Sequence, residues 1–129
     1  MSKAVETSSF ITKRLSQSEI RRVLREPLRK AKIDSIHYDA LAEPDDIGIV
    51  AEEKVAFRTF SAVQIAINAD SEEQANVIDV TAMWDRIMTT IAVSAAKGDH
   101  HSKSSSLKLK RRIEDALRAA DPELCEIAF

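Results

Sequence analysis

The sequence predicts an all-α fold: a small bundle of four main helices over 16–33, 49–69, 71–96 and 106–120, followed by a short C-terminal helix. Three observations carry that prediction. Two glycines and three prolines in 129 residues are too little punctuation for a turn-rich sandwich or barrel. Between Ser71 and Ala96, Val77, Val80, Trp84, Ile87, Ile91 and Ala95 recur at steps of three and four, joined by Met88. At about 100° per residue these fall on one stripe, which makes 71–96 the central helix of the core. Two Ser-x-x-Glu/Gln patterns, Ser16 with Glu19 and Ser71 with Gln74, read as capping boxes at helix starts.

Taken in order, Met1–Ser9 is small and polar and predicts a mobile tail before a single helical domain over 10–129. The first helix follows the Ser16 cap, with Ile20, Val23 and Leu24 on one side. Pro27 predicts a kink or a restart near Glu26. Between Asp34 and Gly48 the signals are mixed, with a short helix around Tyr38–Ala42 and an acidic connector at Glu43–Asp46. Segment 49–69 is ambiguous. Ile49, Ala56, Phe60, Val63 and Ile67 share a helical stripe, yet Val63, Ile65 and Ile67 also alternate with polar or small residues. Its length favours helix, and the alternative is an α+β fold with a strand near 62–68. Residues 97–105 form a polar, flexible connector before the helix at 106–120, and Asp121–Pro122–Glu123 opens the last short helix.

Composition narrows function. A chain with 44% hydrophobic and 31% charged residues is globular and long enough to bury a core without disulfides. The single cysteine, Cys125, excludes an intramolecular disulfide. With no apolar run of membrane length, the reading is a cytoplasmic protein without membrane contact. The histidines His37, His100 and His101 do not stand at ligand spacing, so no metal is expected. No nucleophile elbow, P-loop or dinucleotide fingerprint is present, which predicts no cofactor and no enzymatic activity.

Charge is distributed in blocks although the net value is only −2. Phe10–Asp34 holds eight basic residues against three acidic, Ser35–Val80 two against ten, and Lys97–Arg118 seven against three. Two non-enzymatic readings follow. In the first, the chain is a helical interaction module that self-associates as a homo-oligomer or docks another protein through Val77, Val80, Trp84, Ile87 and Ile91. In the second, it is a small nucleic-acid-binding protein that contacts phosphates through basic helices 13–32 and 103–118. That surface comprises Lys13, Arg14, Arg21, Arg22, Arg25, Arg29 and Lys30, with Lys108, Lys110, Arg111 and Arg112.

Overall fold

A computed structural model gives the architecture. It describes residues 5–31, 35–38, 47–55, 58–70, 72, 74–84 and 102–127. The order is β1 (Val5–Thr12), α1 (Gln17–Lys30), β2 (Ser35–Tyr38), β3 (Ile47–Val55), β4 (Arg58–Asp70), β5 (Ala75–Trp84), α2 (Ser102–Ala120) and β6 (Cys125–Ile127). The strands form one antiparallel sheet in the order β2-β3-β4-β5-β1-β6. This is an α+β fold with two described helices, and it overturns the expectation of an all-α bundle.

The correction is sharpest at the supposed central helix, 71–96. Residues 75–84 are β5, whose inward positions Ile78, Val80, Ala82 and Trp84 are buried while Val77, Asp79, Thr81 and Met83 are only partly so. That is a period of two. The apolar residues of this stretch fit both templates, and the β-branched run Val77, Ile78, Val80 and Thr81 suits the pleat better. Trp84 is buried, as the sequence suggested, but as part of a strand. The stripe positions Ile87 and Ile91 lie outside the described residues. Segment 49–69 holds parts of two paired strands: β3 runs against β4 with Ile49 opposite Ile65 and Ala51 opposite Val63, and the alternative strand near 62–68 lies inside β4.

Between β4 and β5 the pairing closes at Asp70 opposite Ala75, leaving four linking residues. Gln74, expected in the first turn of a helix, therefore lies in the turn between two strands, and Ser71 is outside the described residues. Asp70 Oδ1 accepts a hydrogen bond from the Glu72 amide at 3.1 Å, and Gln74 takes a φ of 50°. A left-handed residue usually announces itself as Gly, Asn or Asp, so a glutamine there conceals the turn. Relieving that Cβ crowding with Gln74→Gly is expected to stabilise the chain by up to about 1 kcal/mol, whereas the β-branched Gln74→Val destabilises it. Chemical denaturation checks this, and a more stable valine variant would refute it.

The N-terminal strand closes the open side of the β2–β5 meander. β1 pairs with β5 along its full length, from Val5 opposite Met83 to Thr12 opposite Asn76. Residues 5–9, expected in a mobile tail, are thus in a ladder. Tyr38 ends β2 instead of starting a helix, and 39–46 lie outside the described residues.

The first helix follows its local signals. Ser16 Oγ accepts from the Glu19 amide at 3.2 Å, and Glu19 Oε1 accepts from the Ser16 amide at 3.3 Å. Leu15 before the cap and Ile20 within the helix are both in the core, in the positions of a hydrophobic staple. Pro27 neither ends nor restarts the helix. It lies buried inside α1, whose last turn closes through the Ala31 amide on the Pro27 carbonyl. Helix α2 starts at Ser102, so 102–105 are helical and not part of a connector. After α2 the chain turns into β6, where a helix was expected. The reason is Asp121: it is buried, accepts from Thr12 Oγ1 at 2.6 Å and from the Glu123 amide at 2.9 Å, and pins the turn to the end of β1.

A single core joins these elements. Ile20, Leu24 and Leu28 of α1 and Leu109, Ile113 and Leu117 of α2 meet the inward residues Phe10, Ile49, Val63, Ile65, Ile67, Ile78 and Val80. Both helices therefore cover the same face of the sheet. Burying side chains of this size contributes about 1.5–3 kcal/mol each relative to exposure.

Candidate nucleic-acid interface

Amphipathicity decides where the cations go. In α1, Ile20, Leu24, Pro27 and Leu28 turn inward, so Arg22, Arg25, Arg29 and Lys30 are exposed and Arg21 is half-buried on the flank. In α2, Leu109, Ile113 and Leu117 turn inward, leaving Lys108, Arg111 and Arg112 exposed. The two helices pack against one another. Basic runs that are separated in sequence by the whole meander thus share one layer, facing away from the sheet. The six strands carry the opposite bias, with Glu6, Glu52, Glu53, Asp70, Asp79 and Glu126 against Lys54 and Arg58.

The cations are not equivalent. Arg29 and Lys30 both bind Glu26, at 2.9 and 3.2 Å, on the surface of α1. Arg14 lies 3.8 Å from Glu123, and Arg118 reaches Asp115 and Glu126 while its guanidinium sits 5.3 Å from the centre of the Phe10 ring. Lys13 and Arg14 are exposed in the turn between β1 and α1. Among the described residues, Arg22, Arg25, Lys108, Arg111 and Arg112 form no ion pair. They are the cations best placed to meet an external anion.

Glu26 reports the local field. Hydrogen bonds first from Lys30 and then from Arg29, with their charges, hold its carboxyl below the ordinary glutamate value. Because the folded value is depressed, the contribution of this group to stability is present above the unfolded glutamate range. It is lost as pH falls through the folded value. The side chain is exposed, so the effect is small. Carboxyl titration by NMR is expected to show a low Glu26 pKa that returns to normal in Lys30→Gln/Arg29→Gln; an unchanged value in that variant would refute the assignment.

Lys110 does not belong to the surface. It is buried between α2 and β1, where its Nζ donates to Ser8 Oγ at 2.6 Å and to Glu114 Oε2 at 3.1 Å, with Glu6 Oε2 at 3.9 Å. A lysine this close to a serine invites comparison with a nucleophile and its base. Its contacts run to a serine on β1 and to a carboxylate one helical turn away on α2, so the amine ties the two elements together. The cluster is a pin that fixes α2 on β1. The i,i+4 Lys–Glu spacing was visible in the sequence; its burial was not.

Of the residues proposed for protein docking, Val77, Val80 and Trp84 are described and do not share one side of the sheet, while Ile87 and Ile91 lie outside the described residues. Val80 and Trp84 are buried on the helix-covered side of the sheet, and Val77 lies on the opposite side between Ile11 and Asn68. That side, which faces away from both described helices, is largely polar along β4 and β5, with Gln64, Asn68, Asp79 and Thr81, and Ser9 donates to Asp79 Oδ1 at 2.6 Å. Cys125 is exposed at β6, its Sγ 3.6 Å from the Glu123 carbonyl. Among the described residues no helix is long and apolar enough to cross a membrane.

Comparison with known proteins adds little. No family model matches the chain, and no curated protein does. Among solved structures the chain is similar to TTHA0849 from Thermus thermophilus, at 10% identity over 91% of this chain and 99% of that one, with a TM-score of 0.30. A likeness at that level supports no functional argument.

Proposed function

We propose that this chain is a non-enzymatic binding module that holds nucleic acid by its phosphates through the outward cations of α1 and α2. The observation that supports this reading best is the packing of the two basic helices side by side on one face of the sheet. Phosphate contacts need cations on a rigid support, and they need no base-specific geometry. Arg22 and Arg25 from one helix and Lys108, Arg111 and Arg112 from the other supply them. Helices also keep these side chains near one plane, since residues three and four apart face the same way.

The test is a titration of the whole chain with DNA and RNA, single-stranded and duplex, at low and moderate salt. Affinity is expected to fall steeply with salt. Arg22→Glu/Arg25→Glu and Lys108→Glu/Arg111→Glu should each weaken binding across sequences and flatten the salt dependence by about two units of log–log slope. Both pairs are exposed, so thermal unfolding of the variants should stay near that of the parent. The absence of salt-sensitive binding to any of these nucleic acids would overturn the proposal.

A further inference from the structure

We infer that the helical layer prefers a duplex to a single strand and reads its phosphate backbone without regard to base sequence. This rests on the phosphate-binding reading above and narrows its ligand class. The cations form two rows: Arg22 and Arg25 on α1, and Lys108, Arg111 and Arg112 on α2. Packed helix axes lie about 8–10 Å apart, between the minor and major groove widths of about 6 and 12 Å. Two rows carried on adjacent helices can meet two phosphate lines, and a single strand offers only one. Charge density points the same way. A duplex presents one charge per about 1.7 Å of axis, twice the density of one of its strands.

What the layer lacks matters equally. Neither α1 nor α2 contains an aromatic residue or a histidine. Tight single-strand binding ordinarily stacks bases on aromatic rings, and nothing on these helices can do that. Asparagine is also absent from both, and the one glutamine, Gln17, stands at the start of α1. The bidentate adenine readers are therefore missing from the outward rows. Cations alone remain: they meet the phosphates common to every duplex, and a guanine preference read by the arginines is the outcome that the two unrelated duplexes test.

The experiment uses fluorescence anisotropy on the whole chain with two DNA duplexes of unrelated sequence, an RNA duplex, and one strand of each. Duplex binding is expected to be at least about tenfold tighter than binding to the component strands, with the two DNA duplexes within about twofold of each other. The salt slope on DNA duplex should be about −4 to −5, from five cations at about 0.9 each. Arg25→Gln/Arg111→Gln is expected to reduce that slope by about two while circular dichroism and melting stay unchanged. Either DNA or RNA duplex as the tighter partner fits the inference, since both present two phosphate lines. Salt-sensitive binding that is equal or tighter on single strands, or that differs more than tenfold between the DNA duplexes, would overturn this inference alone. Loss of salt-sensitive binding to every probe would overturn the phosphate-binding reading as well.

Discussion

Glu114→Leu is expected to destabilise the chain by about 3–5 kcal/mol, among the largest effects available from one substitution. The carboxylate is the close charged partner of Lys110, whose side chain is only 6% exposed. Removing it leaves the ammonium beside β1 with Ser8 as its hydrogen-bond acceptor and only the longer ion pair to the half-exposed Glu6, at 3.9 Å. A buried charge left without its partner costs far more than the intact pair contributed. Replacing both members removes the uncompensated charge, so Lys110→Met/Glu114→Leu should recover most of the loss. Urea denaturation of the two singles and the double measures the coupling directly. Additive losses would show that the pair does not act as a unit.

A second large effect separates neighbouring positions of β5. Val80→Lys should cost more than about 3 kcal/mol, because Val80 is fully buried opposite Ile65 and Ser8 and a charge there has no route to water. Val77→Lys should stay within about 1 kcal/mol. Val77 is only partly buried, on the side of the sheet away from the described helices, where a lysine can extend its amine into solvent. On one helical stripe the two substitutions would cause comparable damage. On a strand they fall on opposite faces, and thermal unfolding of the pair decides between these pictures. Equal destabilisation would argue against the strand.

These same positions show what could be learned without coordinates. Val77, Val80 and Trp84 fit a helical spacing of three and four, while Ile78, Val80, Ala82 and Trp84 fit an alternation of two, and the two patterns share residues. Val63, Ile65 and Ile67 also alternate, but the length of the apolar pattern around them argues for helix. A 13-residue strand, β4, is well beyond the usual length. The missing turn signals misled in the same direction. The β4–β5 hairpin turns through Glu72 and Gln74 with no glycine, so scarce punctuation did not mean few strands.

The sequence by itself determined the local features. It located α1 with its Ser16–Glu19 capping box, most of α2, the burial of Trp84 and the basic character of two separate segments. Each depends on residues within a few positions of one another, where capping, amphipathicity and charge spacing act. Only the tertiary structure decided that 47–55, 58–70 and 75–84 are strands of one sheet, that the two basic helices lie together, and that Lys110 faces inward while Arg111 and Arg112 do not. Strand pairing joins residues as far apart as Val5 and Met83. Such pairing is stabilised by partners across the ladder, and a local window of sequence contains none of them.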